Sequence, residues 1–289
     1  MPYNFTHALV GLTALQQSSE AVADLVRRYR AEFLIGTMGP DPYFGDGMPK
    51  PLFQKSGLIL AEKLHALDGR KLLAAMFPLA DSEPKQAYLL GFLCHFLLDT
   101  IAHPYIEARF AGSKHTPSEI QIDLMMASRV AFPGVPEKPR RFYQTKHLRE
   151  LDALHAQLSK ALFSLETRGT FARGYHKWIL VNSISYDPNN RKLRFFSGLE
   201  RLLNIPGKLT GFLVAHHPDP DDRLNLNHAE WRAPWEPEQV RTESFVELFE
   251  RACAEAPGLL NATLAAMQSG DAAEALNRIG ARRMDARPV

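Results

Sequence analysis

His95, Asp99 and His103 recur at intervals of four inside Tyr88-Leu-Leu-Gly-Phe-Leu-Cys-His95-Phe-Leu-Leu-Asp99-Thr-Ile-Ala-His103-Pro104. On a helix such residues form one row, each step offset by about 40° and about 6 Å along the axis. The surrounding segment is apolar on nearly every side, and a carboxylate stranded there is costly unless it is paired or bound to a metal. His95 and His103, about 12 Å apart along the axis, are too far apart to share one ion at Zn–N distances near 2 Å. Two metals with Asp99 between them satisfy the spacing. Each histidine alone reads as a satisfied core residue; three polar groups in register on one apolar helix point to metal.

Further ligands are at hand. His115 and Glu119 repeat the i, i+4 spacing, and Asp123 extends that row by a turn. Thr116-Pro117-Ser118-Glu119 also has the form of a capping box, in which Glu119 only closes a helix end. Asp41 stands between two prolines in Gly39-Pro40-Asp41-Pro42, a rigid mount that loses little entropy on binding a ligand. His65 falls near the apolar face of a helix patterned by Leu58, Leu60, Ala61 and Leu64, and His7 opens the first helix in the same way. Clustered divalent metals bridged by a carboxylate suit displacement at phosphorus, with metal-bound hydroxide as nucleophile. Asp41 is the candidate to orient or deprotonate that water as well as to bind metal. Tyr43, Phe44 and Phe53 flank it and offer an apolar entrance, a stacking surface, or simply core packing. No serine elbow or Cys/His signature suggests a side-chain nucleophile.

Helix periodicity dominates the chain and predicts an all-α fold. Leu148, Leu151, Leu154, Leu158, Leu162 and Leu165 make one apolar stripe, and similar patterns cover about 5–33, 55–77, 84–110, 116–131, 170–185, 190–204, 238–255, 258–268 and 271–284. Gly/Pro-rich connections at 36–51, 132–139 and 216–237 read as loops, the first as an active-site loop. None has a linker's composition, so residues 1–289 are expected to form a single domain of packed helices.

Composition narrows the chemistry further. The chain is long enough to bury a core without staples, which excludes disorder as the dominant state. With 34 Lys and Arg against 32 Asp and Glu, it is too near charge balance for a protein whose main partner is a polyanion. Two cysteines build neither a disulfide framework nor a cysteine zinc ribbon, so nitrogen and oxygen must hold any metal. Residues 129–149 carry six Lys/Arg against Glu137 alone, which reads as a solvated surface before a phosphate or lipid-headgroup patch. No run of 18 apolar residues suggests a transmembrane segment. The start has no basic n-region, and a cytoplasmic location is expected. His147, His155, His176, His216, His217 and His228 fall outside the ligand series, and Asn225, Asn227, His228 and Trp231 form a cluster with no assigned role.

The ordered series His7, Asp41, His65, His95, Asp99, His103, His115 and Glu119 resembles the zinc-dependent phospholipase C family, whose all-helical fold is shared with single-strand nucleases. The likeness covers residues 1–125, and Gly-Pro-Asp with Gly-Phe-Leu-Cys-His-Phe-Leu-Leu-Asp looks like the form in bacterial members without evident leaders. The resemblance implies one zinc held by Asp41, His65, His95 and Asp99, and a second by His103, His115 and Glu119 with an open position. It also implies a third zinc at the N-terminal residue, His7 and Asp99. Here six residues precede His7, and the His-Asp-His steps are compressed to four and four. The implied reaction cleaves a phospholipid to diacylglycerol and a phosphorylated headgroup, or hydrolyses another phosphodiester, with no obligate protein partner. The alternatives are a nuclease-like enzyme acting on single-stranded nucleic acid and a non-enzymatic, zinc-stabilised helical module.

Overall fold

A computed structural model of the protein describes residues 4–46, 56–130, 139–187, 189–211, 213–215, 219 and 221–289. Among these, the chain is all-α, with fourteen α-helices and no β-strand. The expected helix at 5–33 is three: α1 (Asn4–Leu15), α2 (Glu20–Arg28) and α3 (Arg30–Gly36). The Ser19 side chain caps α2 by accepting from the Val22 amide, and Tyr29 leaves helical geometry between α2 and α3. The 36–51 loop contains one short helix, α4 (Pro42–Asp46), and 47–51, like Phe53, lie outside the described residues. The 55–77 pattern divides into α5 (Ser56–His65) and α6 (Gly69–Met76), because Asp68 accepts from the Arg70 and Lys71 amides and starts a new helix.

The long helix α7 (Glu83–Phe110) is followed by α8 (His115–Val130), α9 (Pro139–Phe142), α10 (Leu148–Phe163), α11 (Thr170–Ser185) and α12 (Arg191–Leu203). After a long irregular stretch come α13 (Phe245–Ser269) and α14 (Ala273–Ile279). Helix α13 joins the two segments expected at 238–255 and 258–268. It runs through Pro257, starting at a reciprocal capping box between Ser244 and Glu247. An interior proline costs about 3 kcal/mol, and packing of the buried face of α13 against α7 offsets it. The last expected helix stops at Gly280, whose positive φ of 66° ends α14. Residues 280–289 then run as an irregular tail.

Helix α7 is the axis of the protein, with α1, α3, α8, α10 and α13 packed around it. By length and composition it could cross a membrane, yet 94% of its most apolar window is buried inside the protein, as suits a core helix. One hydrophobic cluster reaches from Phe5 to Met284. Two glycines set the closest packing. A Cβ on Gly36 would stand 2.1 Å from the Tyr88 carbonyl oxygen, and one on Gly91 would stand 2.0 Å from that of Phe33. The backbones of α3 and α7 therefore touch, which lays the turn after α3 directly over His95.

Candidate metal centre and cavity

That turn delivers two groups. The Thr37 carbonyl oxygen lies 3.2 Å from His95 Nδ1, and Asp41, buried at the start of α4, turns Oδ1 toward His65 and His95. His65 Nε2 is 3.5 Å from Asp41 Oδ1 and 3.7 Å from Asp99 Oδ2. His95 Nε2 is 3.0 Å from Asp99 Oδ2 and 3.9 Å from Asp41 Oδ1. On the other side of Asp99, His7 Nε2 is 3.3 Å from Oδ1, and the His7 ring stacks on His95 with centroids 4.1 Å apart.

Two groups of three thus place one ligand atom per residue within 4.8 Å: Asp41, His65 and His95, and His7, His95 and Asp99. Donors at about 2.0 Å around a tetrahedral ion lie about 3.3 Å apart, close to these spacings. His95 Nε2, Asp41 Oδ1, both Asp99 oxygens and both His7 ring nitrogens are buried without a hydrogen bond. Buried polar atoms are ordinarily satisfied, so a nest of orphaned N and O donors fits a metal.

The histidine rings are preset for that task. Nδ1 of His65 donates to the Ala61 carbonyl at 2.6 Å, that of His95 to Thr37, and that of His103 to Met284. Each bond leaves the Nε2 lone pair as the ligand, the second-layer arrangement typical of metal-binding histidine. The Met284 carbonyl comes from the tail after α14, which also gives the Asp285 amide to the His65 carbonyl at 3.1 Å.

Without metal, the site is electrostatically tense. Burial favours neutral Asp99, but the facing imidazoles, above all His95 and His103, hold its carboxyl well below the usual range. Burial disfavours a charged His95 too, and the carboxylates of Asp99 and Asp41 overcome this and raise its pKa. Burial, then the neighbouring His95, lowers His7 to about 4, and burial lowers His103 to about 3. Metal binding requires a neutral imidazole and so would work against that rise at His95.

A cavity of about 780 Å³ opens above the cluster, with Asp41, His65, His103, His115 and Glu119 in its wall. His115 Nε2 is 2.9 Å from Glu119 Oε1. Because α8 starts at His115, Thr116 lies inside the helix instead of capping it. His103, His115 and Glu119, the expected second set, share this wall but are not drawn into one group within 4.8 Å. Glu107 shares the wall too, 3.4 Å from His115 Nδ1. It was missed, although it continues the row 95, 99, 103 by one further step of four. The expected third set meets at His7 and Asp99, with His95 as the near neighbour; residues 1–3 lie outside the described residues.

The remaining histidines divide plainly. His155 is a core residue, bonded on both ring nitrogens to Tyr43 and Tyr88 and stacked on Phe171. His147 pairs with Glu150, and His228 faces the Thr242 carbonyl. His216 and His217 lie outside the described residues, as do 131–138 of the basic stretch. Asp123 is no ligand but a cap: its carboxylate accepts from the Phe5 and Thr6 amides and the Thr6 hydroxyl, fixing the helix that carries His7.

Gly39 gives a direct test of this packing. Its φ is +53°, and an added Cβ would stand 2.2 Å from Cδ2 of His95. Gly39→Ala should displace the His95 ring, lowering zinc affinity at least about 10-fold by competition titration and destabilising the protein by about 1–3 kcal/mol. Unchanged zinc affinity in the folded variant would show that the His95 ring position is immaterial to binding.

Comparison with known proteins agrees with this geometry. Residues 1–178 match the family described as zinc dependent phospholipase C, and the chain belongs to that family. No curated protein and no solved structure matched it. The match ends within α11, so α12, α13, α14 and the tail that bonds to His103 and His65 lie beyond it.

Proposed function

We propose that the protein is a zinc-dependent phosphodiester hydrolase of the phospholipase C type, acting on a phospholipid. The observation that carries this reading is the nest of buried, unsatisfied donors set at the floor of an open cavity. A closed structural site would have no such mouth. Asp41, His65, His95 and Asp99 would hold one ion, with His7 on the other side of Asp99; His103, His115, Glu119 and Glu107 are the donors available for another. Zinc supplies Lewis acidity toward the phosphoryl oxygens and acidifies water.

The chain's own residues do the rest. Asp41, in the cavity wall, accepts the proton of the attacking water through the carboxylate oxygen that is not turned to His65 and His95, and orients that water toward phosphorus. Water adds to phosphorus as its proton passes to Asp41, the P–O bond to the diacylglycerol breaks, and the leaving oxygen takes up that proton from Asp41, restoring the carboxylate. Phe44 and Trp178 give the cavity apolar walls for acyl chains, while Arg283 and Arg287 bring positive charge to its rim.

The test is hydrolysis of phospholipid and of single-stranded DNA by the zinc-loaded protein, with and without chelator. The expected result is phospholipid cleavage that chelation abolishes and that falls about 100-fold or more in Asp41→Asn while zinc remains bound. DNA cleavage alone would replace the lipid assignment with a nuclease. Zinc binding without turnover on either substrate would make the site structural.

A further inference from the structure

Helix α12 is amphipathic but has no core to face. Glu200 is its one buried residue. Phe195, Leu199 and Leu202, spaced i, i+4, i+7, share an apolar side with Phe196 and Leu203; Arg194 and Arg201 occupy the opposite side, Arg191 stands at the edge of the apolar side, and Lys192 lies within it, its ammonium donating to the Ile184 and Tyr186 carbonyls. Phe195 is 69% and Leu202 80% exposed. A helix of this kind in a globular protein ordinarily buries such a stripe.

The apolar surface continues toward the catalytic cavity. Leu180 and Ile184 of α11 are exposed, whereas Trp178 and Val181 of the same helix line the cavity wall. Ile184, Phe195, Phe196 and Leu213 border a second hollow of about 510 Å³. The exposed charges on α12 have one sign, the Asp187 carboxylate beside it being buried against the Arg191 and Leu193 amides. Arg191, Lys192, Arg194, Arg201 and Lys208 make no ion pair with a carboxylate among the described residues. The sole acid of the helix, Glu200, turns inward to the Leu209 and Thr210 amides and the Thr210 hydroxyl.

We propose that α12, with the Leu180/Ile184 edge of α11, is a membrane-docking surface that inserts its apolar side chains among the lipids of an anionic bilayer. Cationic residues around an exposed Phe/Leu side match lipid headgroups above acyl chains. Phe195 is an exposed ring, but Leu180, Ile184, Leu202 and Leu203 make up most of the exposed apolar surface and offer no stacking face to a nucleic-acid base, which disfavours a polynucleotide as occupant. The proposal deepens the phospholipid reading: it would hold α11, one wall of the cavity, against the surface that contains the substrate.

The experiment is flotation of the full chain, with chelator present and no turnover, on phosphatidylcholine vesicles with and without phosphatidylglycerol. Phosphatidylglycerol should promote binding, and added salt should weaken it. Phe195→Ser/Leu202→Ser should cut binding roughly 10-fold or more and leave cleavage of a small water-soluble phosphodiester unchanged. Arg194→Glu/Arg201→Glu should remove the preference for phosphatidylglycerol. Docking is overturned if the wild type ignores both vesicles, if both variants bind like wild type, or if Phe195→Ser/Leu202→Ser dissociates a dimer, which makes a second copy the occupant. Vesicles that bind through α12 yet are never cleaved support docking and sink only the substrate assignment; vesicles cleaved without binding dependent on α12 do the reverse.

Discussion

Asp99→Asn should abolish zinc binding and phosphodiesterase activity together. The carboxylate is fully buried and faces His7 through one oxygen and His65 and His95 through the other, so it reaches donors of both groups. Asparagine keeps the volume but replaces one acceptor with an NH₂ group aimed at imidazole lone pairs and removes the bridging charge. Loss of an outer hydrogen-bonding partner of a metal costs roughly 10–100-fold in affinity, and loss of this central donor should exceed that. Zinc should raise the melting temperature of the wild type and leave that of Asp99→Asn unmoved. Retention of zinc at wild-type affinity, by elemental analysis after dialysis, would refute the bridging role.

The second large effect is on stability, through a residue that touches no ligand. Asp123 satisfies three donors at the N-terminus of α1, and Asp123→Ala leaves the two amides buried and unpaired. The expected cost is about 2–4 kcal/mol, a fall in melting temperature of roughly 5–15 °C. Because α1 carries His7, zinc affinity should fall with it.

Burial pushes the Asp123 carboxyl up to about 7, against its three donors. A folded pKa above the unfolded value means that the native state binds the extra proton, so this group's contribution weakens as pH rises from about 4 to about 7 and is level beyond. Asp123→Asn, uncharged throughout, should lack that slope in urea titrations of the metal-free protein. An identical slope in wild type and Asp123→Asn would show that Asp123 does not titrate there.

The site was legible where side chains carry it and illegible where backbone does. His95, Asp99 and His103 announce themselves because polar residues at helical spacing in an apolar segment need a reason, and Asp41 because two prolines hold it. Nothing in a sequence marks Met284: its carbonyl, not its side chain, orients His103, and any residue with that backbone would serve. Gly39 carries no mark in the sequence of its work, which is to leave room for a ring more than 50 positions away. The fold was legible as a class but not at its breaks. Ser19 and Asp68 are caps hidden inside periodic stretches, and Pro257 looked like a stop until tertiary packing overrode it. The Asn225, His228 and Trp231 cluster is scaffold: the Asn225 amide ties residues 229, 242 and 243 together, and Trp231 packs edge-on against Tyr105.

The tail's bond to His103 spans 181 positions, and neighbouring tail bonds join Arg283 to Thr100 and Asp285 to His65. Closing a loop of this length carries an entropic cost that the contacts it permits must offset. Three bonds from consecutive residues share that cost and act together as a latch: main chain from residues 283–285 sets the tautomer of a cavity-wall histidine, holds Thr100 of α7 and fixes the C-terminal end of α5. One wall of the cavity is thus fastened by backbone atoms nearly two hundred positions from the helices that they hold.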